Sequence, residues 1–246
     1  MDKLLYVAMT GAKETLRAQA ANNHNLANAS TTGFRADLSA FQSRAVAGAG
    51  YASRVYATNA STGWDDTVGP MQSTGNPLDI AIQGPGFIAV QGPDGKEAYT
   101  RAGDLHVDPS GLLMNGTGHL VLGDGGPISV PPSSSIDIGG DGTVSVIPLG
   151  QTPNTVAAVG RIKLVNPASS DLVTGTDGLL HTQSGNPAPA DASVKVDSGV
   201  LEGSNVNIAN SMVTMIELAR NFDMQVKAIR SAEDNGAAST KILQTS

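Results

Sequence analysis

The sequence predicts an α+β chain of more than one domain: a helix at each end, a central all-β domain and an extended connector. Three observations carry that expectation. All 13 prolines lie between Pro70 and Pro189, so neither end contains the residue that breaks helices. Near each end, residues recur in alternating steps of four and three, the spacing of one helix face. From residue 78 the apolar period changes to two, with turn signals roughly every ten residues.

The N-terminal helix is expected over residues 1–30. Leu5, Met9, Ala12, Leu16, Gln19, Asn23 and Leu26 form its stripe, and Thr31, Thr32 and Gly33 end it. The C-terminal helix is expected over 204–246. Ile208, Met212, Met215, Ala219, Phe222, Val226 and Ile229 form a seam of heptad type, weakening where "EDNGA" brings in Gly236. Two such stripes at opposite ends of a chain suit a coiled-coil-like pair built from both termini.

Residues 31–77 show no strong element and are expected as an extended connector, anchored by Tyr51 and Trp64. The β domain is expected over 78–203. Its candidate strands include "LDIAI" (78–82), "FIAVQ" (87–91), "EAYTR" (97–101), "SIDI" (135–138), "TVSVI" (143–147) and "GRIKLV" (160–165). Asp94-Gly95, Asp141-Gly142 and Asp177-Gly178 are hairpin-turn pairs, because glycine supplies the positive φ that tight turns require.

The formal net charge of −7 is uneven: residues 45–204 carry six basic and fifteen acidic side chains, and the two ends are near neutral. An acidic middle argues against nucleic acid as a partner, since phosphate binding wants a basic face. Cysteine is absent, so no disulfide or thiolate metal site forms. No apolar run approaches a membrane span. "LLYVAM" (4–9) is shorter than a signal-peptide core and is soon followed by Lys13 and Glu14. The segment is therefore expected to belong to the mature protein, and any export to proceed without a cleavable signal.

Catalytic motifs are missing. His24, His106, His119 and His181 show no metal-ligand spacing, and there is no G-x-S-x-G elbow. "QGPGF" (83–87) leads into a strand rather than a helix N-terminus, so it reads as a turn. Asp65, Asp66, Asp104 and Asp108 lack a calcium-loop pattern. The expectation is no enzyme, no cofactor, no metal and no small-molecule substrate.

The informative stretch is "NNHNLANASTTGFR" (22–35), where Asn22, Asn25 and Asn28 step by three near one side of the helix. "SNVNIAN" (204–210) supplies Asn205, Asn207 and Asn210 at the other end. Two readings stand open. The asparagines make an amide-rich contact where the helices meet the connector, or Asn28 and Ser30 simply cap a helix end.

Both stretches resemble the terminal signatures of the flagellar axial (rod and hook) protein family. Asn25, Leu26, Ala27, Asn28, Thr31, Gly33, Phe34 and Arg35 match the first, with His24 where an asparagine usually stands. Gly199, Leu201, Glu202, Ser204, Asn205, Val206 and Asn207 match the second, continued by Met215, Ile216, Arg220, Phe222 and Lys227. The central "PLDIAIQGPGFIAVQGPDGKEAYTRAGDLHVDPSGLL" also looks like this family.

The opening "MDKLLYVAMTGA" and the short connector are similar to proximal-rod members, with distal-rod and hook-type members as the alternative. The resemblance implies a structural subunit of the basal-body rod, a periplasmic tube that transmits torque. It implies export through the flagellar type III apparatus, and assembly with itself and other rod subunits through the helix seams. The helices would line the inner tube, and neither nucleic acid nor membrane insertion is implied. From another class, a secreted β-rich binding module would explain the middle of the chain and not its ends.

Overall fold

The computed structural model describes residues 4–45, 55–150, 155–175 and 177–244. Helix α1 (Leu4–Ala27) opens the chain and α2 (Ile208–Gln244) closes it. Between them lies a β-rich region, so the architecture is α+β. The chain forms two compact units. One takes residues 1–29, 36–65 and 206–246, and the other takes 30–35 and 66–205.

The helical unit contains more than helices. Residues 31–77 were expected as a connector without strong elements. Instead β1 (Asp37–Ala45) and β2 (Val55–Trp64) pair antiparallel, from Asp37 opposite Trp64 to Ala45 opposite Val55. Trp64 is buried at the root of this hairpin, as expected of an anchor; Tyr51 lies outside the described residues. The strands "DLSAFQSRA" and "VYATNASTGW" lack clean apolar alternation, because a two-stranded ribbon has no core face of its own. Its support comes from α1, against which both strands pack.

The β unit holds β3 (Met71–Ser73), β4 (Ile80–Gln83), β5 (Phe87–Gln91), β6 (Glu97–Thr100), β7 (Leu105–Val107) and β8 (Leu113–Asn115). It continues with β9 (Leu122–Gly123), β10 (Gly126–Pro127), β11 (Ser133–Ile138), β12 (Thr143–Pro148), β13 (Ala157–Arg161) and β14 (Leu164–Val165). After a 3₁₀ turn at Ser169–Asp171 come β15 (Leu172–Thr174), β16 (Leu180–Thr182), β17 (Lys195–Ser198) and β18 (Val200–Glu202). The largest sheet has the order β14-β5-β6-β16-β15, and a second runs β11-β12-β13. "GRIKLV" splits between β13 and β14, which belong to different sheets.

The three Asp-Gly pairs behave as their sequence predicts. They turn β5 into β6, β11 into β12 and β15 into β16, each an antiparallel pair. Gly95, Gly142 and Gly178 all have positive φ. Inside, Ile80, Ile88, Val90, Leu113, Val121, Val144 and Ile162 belong to one continuous apolar cluster. β12 buries Val144 and Val146 and leaves Ser145 between them half-buried, the period-two pattern of a strand with one core face. On β6, the buried Tyr99 hydroxyl donates to Glu97 Oε1 at 2.9 Å and accepts the Ala188 N–H at 2.7 Å. Burial pushes its pKa up to about 12.

Many acidic residues are consumed by turns. Asp108 accepts the Ser110 hydroxyl at 2.6 Å and the Ser110 and Leu112 amides at 2.9 Å. Asp141 does the same with Thr143, and Asp191 with Ser193. The side-chain hydroxyls, then the amides, hold all three carboxyls below the ordinary value of 3.8.

A folded value below the unfolded one means that these bonds stabilise the fold above about pH 3.8 and are lost as pH falls through the folded value. Asp108→Ala should therefore lower the thermal midpoint of the protein at pH 7. The gap between variant and wild type should narrow in melts recorded below pH 3.8.

Candidate assembly site

The two helices pack on each other and run antiparallel. The Asn22 amide donates to the Ser211 carbonyl at 2.8 Å, and Gly11 faces the side chain of Gln225. A Cβ on Gly11 would stand 3.0 Å from Gln225 Cδ, so the glycine lets the helices approach here.

On α1 the inward line is Leu5, Ala8, Ala12, Thr15, Gln19, Asn22 and Leu26, all buried or half-buried. On α2 it is Ser211, Met215, Leu218, Phe222, Gln225, Ile229 and Ala232. Both lines step by fours and threes. Leu5, Ala12, Gln19, Leu26, Met215, Phe222 and Ile229 of the expected stripes lie on them.

Met9, Leu16, Asn23, Ile208, Met212 and Ala219 do not; they are exposed, and half-buried Val226 flanks the line beside Gln225. For Met9, Leu16, Met212 and Val226 the inward residue is the preceding neighbour, Ala8, Thr15, Ser211 or Gln225, which is smaller or polar; beside Ala219 it is the larger Leu218. The stripe drawn from the sequence followed the large apolar residues, whereas close packing of two helices favours small ones on the facing side. Beyond Ala232, α2 continues as a helix through Gly236, because one glycine weakens a helix without ending it.

The asparagines divide between the two readings. Asn25 grips the root of β1: its Nδ2 donates to the Asp37 carbonyl at 2.9 Å and its Oδ1 accepts the Asp37 N–H at 2.8 Å. His24 Nδ1 lies 2.9 Å from Asp37 Oδ2, so the histidine also serves this junction. Asn28 donates to the His24 carbonyl at 3.0 Å, a local helix-end bond. Asn207 caps α2 by accepting the Asn210 N–H at 3.0 Å. Asn205 donates to the Thr67 carbonyl at 3.0 Å.

A second tie to the hairpin comes from mid-helix. Glu14 is buried on α1, accepting the Asn59 N–H at 3.1 Å and Arg17 Nη1 at 2.9 Å. The Asn59 amide above all, against some cost of burial and with help from Arg17, holds the Glu14 carboxyl below its usual range. Nothing in the sequence marked Glu14, because its partner lies 45 residues away.

Gly33, Arg35 and Glu202 of the signature meet inside the β unit. Arg35 Nη2 and Arg101 Nη1 each lie 2.8 Å from the Glu202 carboxylate, which also accepts the Gly69 N–H at 3.0 Å. All three charged side chains are at most 4% exposed. The Gly33 N–H donates to the Glu202 carbonyl at 2.8 Å. Gly33 has φ +65° and sits so close to the backbone of Arg101 and Ala102 that a Cβ would collide. Arg101 also donates to the Gly84 carbonyl and stacks 5.5 Å from the Phe87 ring centroid. Leu201 pairs with Gln72 between β18 and β3, Ser204 is buried, and Thr31, Phe34 and Val206 are half-buried. Ala27 is exposed.

Among the described residues, no group of three or more His, Asp or Glu could hold a metal ion. Among the same residues, no helix is long and apolar enough to cross a membrane. Asp108 serves a turn, Asp66 accepts the Ser169 hydroxyl, and burial raises the pKa of the Asp104 carboxyl.

A family profile described as the flagellar hook protein FlgE/F/G D1 domain matches residues 81–146, and one described as the flagellar basal body rod FlgEFG protein C-terminal matches residues 197–245. The class is thus that of flagellar hook and rod proteins. The chain is 45% identical to the flagellar basal-body rod protein FlgF of Escherichia coli K12 and 44% to that of Salmonella typhimurium LT2, in each case over the whole of both chains. It is 32% identical to the rod protein FlgG of Bacillus subtilis 168, over 95% of this chain and 96% of that one. The chain belongs to the family of flagellar basal-body rod protein FlgF and is a structural subunit of the basal-body rod.

Asn25→Ala removes both bonds to the Asp37 backbone. The expected cost is about 1–3 kcal/mol to the helical unit. Hydrogen exchange should show it as faster exchange of the Asp37 amide, with the Val121 amide of the β unit unchanged.

Proposed function

We propose that this subunit occupies the proximal rod in the periplasm, with its terminal helices forming a coiled-coil-like module that packs against neighbouring axial subunits. The outward apolar residues of the helices carry this reading. Met9, Leu16, Met212 and Ile216 are each about half exposed, off the inward line. Exposed large apolar side chains clustered on one element mark a contact surface. The partners are further copies of this chain and other rod subunits. One contact repeated without ring closure builds a helical tube. Export proceeds through the flagellar type III apparatus, with the N-terminal helix retained as part of the mature structure. The two compact units act as separate domains, the helical one for assembly.

The double variant Met212→Asp, Ile216→Asp should abolish incorporation into rods, read by immunoblot of purified basal bodies. The melting of the β unit should stay within about 1 °C, since exposed helix positions contribute little to it. Normal incorporation would sink the reading.

The likeness to FlgG supports distal-rod placement as a second reading. Complementation separates the two. Expression in a motile host lacking its own FlgF should restore swimming, and expression in one lacking FlgG should not.

A further inference from the structure

The apolar cluster of the β unit draws its residues from Ile80 to Val196. Among the described residues it includes none from 30–35, 66–70 or 202–205. Yet those segments hold every point where the chain passes between the two units, at 29/30, 35/36, 65/66 and 205/206. What joins them to one another is polar. Gly33 N–H donates to the Glu202 carbonyl at 2.8 Å, Asn205 N–H to the Phe34 carbonyl at 3.3 Å and Gly203 N–H to the Pro70 carbonyl at 2.8 Å. The Glu202 carboxylate then binds Gly69 N–H, Arg35 and Arg101.

One residue thus bonds to all the other roots through its backbone and its side chain. Its charge is held between two buried guanidiniums, and removing one member of such a group leaves uncompensated buried charge. Arg101 has further partners in the Gly84 carbonyl and the Phe87 ring. Gly69 is pressed against the Gly203 carbonyl as tightly as Gly33 is against Arg101. Segments rich in polar bonds and poor in apolar contacts open locally, below the free energy of global unfolding.

We infer that Glu202 is a latch, and that its opening releases segments 30–35, 66–70 and 202–205 as one cooperative piece while the apolar cluster stays folded. The latch is a property of the β unit itself and does not depend on which rod position the subunit fills.

Native-state hydrogen exchange on the full-length chain tests this, with Gly33, Gly69 and Asn205 as reporter amides. Val121 and Leu113, bonded to the Leu113 and Ile128 carbonyls, report the core. In Glu202→Gln the three reporters should exchange about tenfold faster or more, together, with the core amides within about threefold. Arg35→Lys keeps the charge and loses the planar donor geometry, so it should give the same pattern in weaker form. It is the variant to read if Glu202→Gln fails to fold.

Glu97→Gln is the control: it breaks the half-buried Lys163–Glu97 pair, 2.8 Å apart, and should leave the reporters unchanged. Equal acceleration of reporters and core would overturn the latch, as would reporters that separate from one another. Reporter acceleration in Glu97→Gln matching that in Glu202→Gln would overturn it as well.

Discussion

The junction of segments 30–35, 66–70 and 202–205 hangs on a carboxylate held between two guanidiniums. Glu202 meets Arg35 and Arg101 at 2.8 Å in a region almost closed to water. Charge of this kind is expensive to bury and more expensive to leave unmatched, so the arrangement is maintained only where the whole set is present. It joins residues 35, 101 and 202, which belong to distant parts of the chain. The glycines around it follow from the same crowding. Gly33 and Gly69 stand where the backbones of Arg101 and Gly203 leave no room for a side chain. Both terminal signatures contribute to this one junction, which gives a physical reason for their pairing in one sequence.

The helix pair places small and polar residues beside large apolar ones on its inward lines. Asn22 meets Ser211 and Gly11 meets Gln225 across the pair, while Met9, Leu16, Met212 and Ile216 are exposed. A lone subunit gains little from such a pair. On the proposed reading these outward residues meet neighbouring subunits, where burying each would stabilise a contact by roughly 1.5–3 kcal/mol. The hairpin beside α1 is held by directional bonds, from Asn25 and Glu14, rather than by a core.

The acidity of the middle of the chain has a local explanation. Asp108, Asp141 and Asp191 each accept a hydroxyl and an amide within their own turns, and Asp94 accepts the Lys96 amide. These charges close hairpins and loops. The Asp-Gly pairs that marked turns in the sequence therefore also supply part of the negative charge.

Local chemistry was legible in the sequence. Proline placement and helical spacing located α1 and α2; the Asp-Gly pairs located three hairpins; and the two terminal stretches carried the likeness to axial proteins. Each of these depends on residues close together in the chain. The hairpin at residues 37–64 was not legible, because neither of its strands has the apolar alternation that a core face imposes, and its stability is lent by α1. Nor was the rotational setting of the helices. A shift of one residue between Met9 and Ala8, or between Met212 and Ser211, is decided by what the opposite helix can accommodate. Arg101, Gly69 and Glu14 carried no local signal at all, since their partners lie 101, 133 and 45 residues away. The sequence by itself determined the two helices and the turns of the β unit, because those choices follow from short-range sterics and hydrogen bonding. Only the tertiary structure decided which faces meet and which charges are paired, because burial exists only once distant segments exclude water together.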